Sequence, residues 1–253
     1  MKAIDNKLLK IENLNFSYGK QEILKNVNLE FNSGVYCLLG KSGSGKTTLA
    51  KIISTLLKNY KGNIFYNGMK YNLESKRNIR FLRSNIRLIF QSPETTLNPR
   101  MTIYKILKEP LKLYSKEMKT YERLEEIYKM LDKVRLSEVK NDIKIKFISQ
   151  LSGGQKRRLA IARALISRPK LIIADEPTEG LDISLQGGII ELFREFNIPM
   201  LLITHNYTVA AALSNKIGVM YNGEIIEEID SSINNANHPF TISIKDALKE
   251  HAF

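Results

Sequence analysis

Apolar and polar residues alternate through the first segment, LLKIENLNFSYGKQEILKNVNLEFNSG, and turn residues fall at Tyr18-Gly19-Lys20 and Asn32-Ser33-Gly34. This is the pattern of antiparallel strands with one covered face. The alternation stops at Val35, and the run to Leu39 is apolar throughout, as in a strand covered on both sides. A glycine-rich stretch opens at Gly40, and from Lys46 to Ile53 the spacing reads as a helix. Asn67-Gly68 and Asn222-Gly223, each between strand-like flanks, predict tight hairpins. From about Ser92 to Gln150 the strand pattern disappears, and residues 102–115 and 118–134 carry apolar side chains at helical intervals among Lys and Glu. Beyond it, Lys170 to Glu176 and Pro199 to His205 are short apolar runs ending in polar groups, separated by a helix over 184–196. Buried parallel strands joined by crossover helices produce that order. There is no internal repeat and no low-complexity tract.

A chain of 253 residues, 43% of them hydrophobic, can bury one large α/β domain or one domain with a smaller insertion. No apolar run approaches the roughly 18 residues that a membrane helix needs. The start, MKAIDNKLLKIEN, interrupts its apolar positions with too many charges for a signal peptide. The expectation is a soluble protein that stays where it is made. The single cysteine, Cys37, lies in the apolar Val35 to Leu39 run and reads as a buried thiol. Lys and Arg outnumber Asp and Glu by 39 to 26, for a net charge of +13. The basic residues are scattered through the predicted helices of a Lys-, Asn- and Ile-rich chain, and no basic stripe interleaved with aromatics appears. The charge reads as biased lysine usage, and nucleic acid is not expected as a partner.

Two stretches carry phosphate chemistry. Gly40-Lys41-Ser42-Gly43-Ser44-Gly45-Lys46-Thr47 fits G-x-x-x-x-G-K-[ST] between a buried strand and a helix. Glycines let the backbone wrap an anion so that N–H groups and the positive end of the helix face it, while Lys46 reaches the terminal phosphates and Thr47 offers a hydroxyl to Mg²⁺. In Leu171-Ile172-Ile173-Ala174-Asp175-Glu176, four apolar residues deliver two carboxylates to the carboxyl end of a buried strand, the end where open α/β sheets bind ligands. Asp175 is suited to hold Mg²⁺ and Glu176 to accept a proton from attacking water.

Leu151-Ser152-Gly153-Gly154-Gln155, leading into KRRLAIARAL, offers a hydroxyl, unhindered backbone donors and a helix N-terminus, a combination that suits a phosphate. In order after the phosphate loop and before the acidic strand, it makes the whole chain resemble the ATP-binding cassette ATPases. The resemblance implies an α/β fold: a P-loop NTPase core with a mainly parallel sheet, an N-terminal antiparallel β subdomain and an inserted α-helical subdomain. The expected boundaries within the 1–253 cassette are 1–91 with 151–253 for the core and 92–150 for the helical subdomain.

The same resemblance implies the site. ATP is held by Gly40, Lys41, Ser42, Gly43, Ser44, Gly45, Lys46, Thr47 and Thr48, with Tyr18, 22 residues before Gly40, stacking on adenine. Gln91 corresponds to the glutamine that joins nucleotide and helical subdomain, and with Thr47 and Asp175 it makes the metal set. Ser152, Gly153, Gly154 and Gln155 act on the ATP of an opposing subunit. His205 corresponds to the switch histidine on the γ-phosphate, so that Glu176, His205 and Lys46 form the catalytic group. Two positions depart from the pattern: Glu179 stands where a small residue, often serine, is usual, and Asn206 stands where aspartate is common. They touch communication across the dimer rather than hydrolysis.

Gln91-Ser92-Pro93-Glu94-Thr95-Thr96-Leu97-Asn98-Pro99-Arg100-Met101-Thr102 resembles the Q-x-P-x-x-x-L-N-P-x-x-T stretch of the peptide and nickel importer branch, and His238-Pro239-Phe240-Thr241 resembles its H-P-[YF]-T tail. The implied function is hydrolysis of ATP to drive uptake of a peptide, nickel or a metal chelate. The implied partners are a second cassette ATPase, a different chain rather than a copy, two transmembrane permease subunits and an extracytoplasmic solute-binding protein. The location is the cytoplasmic face of the membrane. Cargo is chosen by the other subunits. Two alternatives stay open: a cassette ATPase acting on DNA or the ribosome, and a subunit that binds ATP without hydrolysing it.

Overall fold

The structure is a computed structural model and describes residues 7–92, 95–115, 117–214 and 216–250; Pro93 and Glu94 of the Gln91 stretch, and both chain ends, lie outside the described residues. The chain divides into two compact units, Met1–Arg83 with Asn197–Phe253, and Ser84–Phe196.

The first unit opens with β1 (Leu9–Tyr18) and β2 (Gln21–Phe31), an antiparallel pair with Tyr18 opposite Gln21 and Leu9 opposite Phe31. Alternation buries Leu9, Ile11, Leu14 and Phe16 on one strand and Leu24, Val27, Leu29 and Phe31 on the other. Between Ile11 and Leu14 the apolar spacing is three rather than two, and the register shifts there. Asn13 absorbs the extra residue with φ 50°, a left-handed conformation that asparagine tolerates, and its N–H donates to Asn28 Oδ1 at 2.9 Å. Next come β3 (Val35–Leu39), α1 (Lys46–Ile53), β4 (Lys61–Tyr66), β5 (Met69–Lys70) and α2 (Lys76–Asn85). Strand β4 pairs with β1, and β5 folds back on β4 through Asn67 and Gly68, both at positive φ, completing a four-stranded antiparallel sheet.

The second unit contains β6 (Ile86–Ile89), α3 (Ile103–Tyr114), α4 (Thr120–Lys133), α5 (Gly153–Leu165), β7 (Leu171–Asp175) and α6 (Ile183–Phe196). Strands β6 and β7 run parallel, from Ile86 opposite Leu171 to Ile89 opposite Ala174. The two stretches with helical spacing are α3 and α4. Their apolar faces bury Ile103, Ile106, Leu107 and Leu111, and Ile127, Met130 and Leu131, alongside Leu159, Ile161 and Leu165 of α5. Each such side chain contributes roughly 1.5–3 kcal/mol by leaving water.

The chain then returns to the first unit with β8 (Met200–Thr204), α7 (Tyr207–Leu213), β9 (Lys216–Tyr221), β10 (Glu224–Asp230) and α8 (Pro239–Glu250). Strand β3 lies parallel to β8 on one side and to β9 on the other, and successive residues from Tyr36 to Leu39 are all buried, so both faces are covered as the apolar run demands; Cys37 is fully buried. The Asn222-Gly223 turn joins β9 to an antiparallel β10. The outcome is an α/β protein with one antiparallel sheet and a mixed sheet whose central strand is parallel to both neighbours.

Candidate functional site

In the first unit, the loop from Gly40 to Gly45 joins the end of β3 to α1. Gly40 lies against the backbone of β9: a methyl group there would stand 2.3 Å from the Met220 carbonyl oxygen. Gly45, the residue before α1, has φ 107°, which a side chain would strain. The loop is braced from below by Gly40 N–H donating to the Thr204 carbonyl (3.3 Å) and Gly223 N–H donating to the Ser44 carbonyl (3.1 Å). Helix α1 begins without a side-chain cap and without an acidic residue in its first turn. An anion therefore meets N–H groups and the positive end of the helix dipole rather than a competing side chain. Lys46 is 6% exposed, and its ammonium donates to the carbonyls of Gly40 (2.6 Å) and Lys41 (2.8 Å) and lies 3.4 Å from Ser44 Oγ. Those are the contacts a phosphate would take over. Thr47 and Ser42 are exposed.

Tyr18 closes β1, half exposed, with Phe16 packed edge-on against it at 4.9 Å. His205 leaves β8 directly after the buried Thr204 and is exposed. Asn206 caps α7, its Oδ1 accepting from the N–H groups of Thr208 (2.9 Å) and Val209 (3.3 Å). Aspartate would make the same cap, so this departure preserves the local structure.

The tail motif has a place that its sequence did not disclose. Phe240 stacks on Tyr221 at 4.7 Å, and the Lys41 ammonium of the phosphate loop lies 5.5 Å from the Phe240 ring centre. Glu227 on β10 accepts from the N–H groups of Asn237 (2.6 Å) and His238 (3.2 Å). Burial works to raise its pKa, but those hydrogen bonds together hold it below the usual carboxylate value.

In the second unit, the apolar β7 delivers Asp175 and Glu176 into buried positions, 3% and 8% exposed. Glu176 has φ 48°, a left-handed backbone for a non-glycine residue, at the point where the strand turns into Pro177. Such strain is held only where surrounding structure fixes it. Ser152 is the N-cap of α5: its Oγ accepts from Gln155 N–H at 3.2 Å, and Gln155 Oε1 accepts from Ser152 N–H at 3.0 Å. Open space surrounds the α-carbons of Gly153 and Gly154, so a second molecule can approach that helix start. Gln91 follows β6, and its side-chain amide donates to the Glu179 carboxylate. Arg157 of α5 donates to the carbonyl oxygens of Glu179 (2.8 Å) and Gln91 (3.4 Å). Sequence reading singled out Gln91 and Glu179 separately and passed over Arg157, because nothing local to either residue marks the contact.

The family profile of the ABC transporter matches residues 24–179, from within β2 through the phosphate loop, the signature helix and the acidic strand. The chain belongs to the ABC transporter family. It is 34% identical over 254 residues to the oligopeptide transport ATP-binding protein AmiF of Streptococcus pneumoniae, covering 96% of this chain and 82% of the relative. To the dipeptide transport ATP-binding protein DppF of Lactococcus lactis subsp. cremoris it is 33% identical over 256 residues, covering 96% and 81%. Among solved structures it resembles cbiO1 of Clostridium perfringens, part of the ABC transporter complex cbiONQ, with a TM-score of 0.80 and 26% identity over 97% of this chain and 94% of that one. It also resembles a dimeric ATP-binding cassette in a post-hydrolysis state bound to ADP and phosphate, with a TM-score of 0.76 and 30% identity over 88% and 98%. The resemblance read from the motifs therefore holds, as do the α/β fold and the assignment as an ATP-binding, ATP-hydrolysing cassette of a transporter. No described helix is long and apolar enough to cross a membrane.

Proposed function

We propose that the chain is the ATP-hydrolysing subunit of a peptide importer, peripheral on the cytoplasmic face of the membrane. It works as one of two cassette subunits, the other a different chain, on two permease subunits supplied with cargo by an extracytoplasmic binding protein. The observation that carries the ATPase reading is the buried Lys46 ammonium held in a loop at an uncapped helix start. Relatives named for oligopeptide and dipeptide transport across nearly the whole chain favour peptides over nickel or a metal chelate.

In this reading Gly40 to Thr48 hold the phosphates, Lys46 exchanging its loop carbonyls for phosphate oxygens, and the exposed face of Tyr18 stacks on adenine. The Thr47 hydroxyl, the Asp175 carboxylate and the Gln91 amide oxygen are hard oxygen donors, which fits Mg²⁺ arriving with phosphates rather than an all-protein cage. Bound Mg²⁺ would neutralise charge developing on the β- and γ-phosphate oxygens. Glu176 accepts the proton of the attacking water, and His205 contacts the γ-phosphate. Ser152, Gly153, Gly154 and Gln155 serve the ATP held by the partner subunit, so that ATP joins the two chains and hydrolysis releases them.

We assign residues 1–91 with 151–253 to the nucleotide core and 92–150 to the helical part that docks a permease. A cleft of about 220 Å³ supports that docking reading; it is lined by Arg87, Thr96, Glu109, Leu113, Tyr114 and Arg163 among others. Its wall is braced by Arg163, which donates to the Thr96 carbonyl (2.8 Å) and to Glu109 (3.1 Å), and by Arg87 over the Tyr114 ring.

Glu176→Gln tests the mechanism. Losing a general base costs about 10²–10⁴-fold in rate. The variant should bind MgATP at least as well as wild type and accumulate an ATP-bound dimer with its partner on sizing. Single-turnover hydrolysis at the wild-type rate would remove Glu176 from the role of base.

A further inference from the structure

Glu179 stands where this family usually has a small residue, and the structure gives the carboxylate a task. It accepts from the Gln91 side-chain amide across 88 residues of sequence. An ionised carboxylate has no proton to give, so the end of the amide that faces it is the NH₂. The amide is planar and its two ends diverge, so Gln91 Oε1 is turned away from Glu179. Arg157 fixes the backbone on both sides of this contact by donating to the carbonyl oxygens of Glu179 and Gln91. The loops carrying Gln91 and Glu179 leave the adjacent, parallel ends of β6 and β7, and Arg157 stands five residues beyond Ser152 on the signature helix. One carboxylate and one guanidinium thus join three motif-bearing segments. A serine at 179 could keep its carbonyl for Arg157 but is too short to reach the amide.

We propose that Glu179 is a positioning residue for Gln91: by holding the NH₂ end it presents Oε1 as a ready-made oxygen ligand for the metal that accompanies ATP. This rests on the reading of Gln91 as a metal ligand. Glutamine has three rotatable side-chain torsions, and fixing them in advance removes an ordering cost that metal binding would otherwise bear. Preorganising one such side chain changes affinity by about 2- to 10-fold. The gain belongs to the metal-dependent part of ATP binding alone, since Gln91 has no part in holding the bare nucleotide in this scheme. The hydrogen bond, rather than the charge, is the operative feature, so a neutral acceptor of the same length serves as well.

Calorimetric titration of the full chain with ATP, once with Mg²⁺ and once with EDTA, measures the ratio of the two dissociation constants. Glu179→Ser should reduce the gain from Mg²⁺ by about 2- to 10-fold and leave the EDTA value unchanged, while Glu179→Gln, whose amide oxygen still accepts from Gln91, should stay within about two-fold of wild type. In a Gln91→Ala background Glu179→Ser should have no further effect. An unchanged ratio in Glu179→Ser, a Glu179→Gln that behaves like Glu179→Ser, or a loss that persists without Gln91 would each overturn the positioning role. If Gln91→Ala alone leaves the ratio at its wild-type value, Gln91 is no metal ligand, and both readings fall.

Discussion

Replacing Lys46 by methionine separates the part this side chain plays in holding the empty loop from the part it plays in holding ATP. Methionine fills similar space but donates nothing. In the empty loop the carbonyls of Gly40 and Lys41 then lose a charged donor at 2.6 and 2.8 Å. Hydrogen bonds to a charged group contribute about 1.5–3 kcal/mol each, and a stranded buried acceptor costs about 1–3 kcal/mol. Part is offset, because the variant no longer buries an ammonium. A net destabilisation of about 1–3 kcal/mol follows, or roughly 2–12 °C in Tm for a chain of this size. With MgATP the loss is of a charge-assisted contact to phosphate, which at about 1.5–3 kcal/mol is roughly 10- to 150-fold in Kd. Scanning calorimetry without nucleotide and titration with MgATP read the two effects separately. A lower Tm with unchanged MgATP affinity would make Lys46 a structural clamp only, and a variant matching wild type in both would remove the phosphate site from this loop.

Gly40→Ala places a methyl group 2.3 Å from the Met220 carbonyl oxygen. Because paired strands β3 and β9 hold both sides, it should cost about 1–3 kcal/mol in denaturant unfolding, and wild-type stability would contradict the close approach. Glu227→Gln weakens the anchor of the tail. Because hydrogen bonding holds the folded pKa of Glu227 below its ordinary 4.5, its stabilisation is present above that value and lost as pH falls through the lower folded pKa. The variant should therefore melt below wild type at pH 7, with the gap closing in acid below about pH 4.5; a gap that persists there would show that the charge is not what stabilises.

Much of the fold was written in short-range patterns. The Asn-Gly pairs at 67–68 and 222–223 form the turns they predict, because positive φ at both positions is a local requirement that few residues meet. The apolar runs at 35–39, 171–175 and 200–204 are the buried strands for a similarly local reason. Strand β6 was harder to see: four residues, Ile86–Ile89, with Arg87 among them, carry too little periodicity. Arg87 is tolerated there because its guanidinium lies 4.0 Å from the centre of the Tyr114 ring and bonds Ser167 at 3.0 Å. The tail shows the other limit. His238-Pro239-Phe240-Thr241 was legible as a motif, but its stacking on Tyr221 depends on where β9 ends, which no spacing within the tail encodes.

The candidate site divides the same way, between groups and their resting partners. Residue types and order named Lys46 and Ser152, because phosphate chemistry restricts which side chains can serve and where on strands and helices they can sit, whereas Gln91 was named only by the resemblance to the family. What those groups do before ATP arrives was not in the pattern: Lys46 is held by two loop carbonyls, Ser152 by the backbone and side chain of Gln155, and Gln91 by Glu179. In the proposed function Lys46 exchanges its carbonyls for phosphate while Gln91 keeps its bond to Glu179, so ATP affinity at the loop is the difference between two sets of satisfied bonds rather than the sum of one. Lys46 and Ser152 find their resting partners within six residues, which any chain with this loop and this cap can supply. Gln91 finds its partner 88 residues away, at a position where this chain has a carboxylate in place of the usual small side chain. Substitution at 179 can therefore change how much a metal adds to ATP binding while every phosphate-handling motif stays intact, and that combination is what sets Glu179 apart from a generic surface acid.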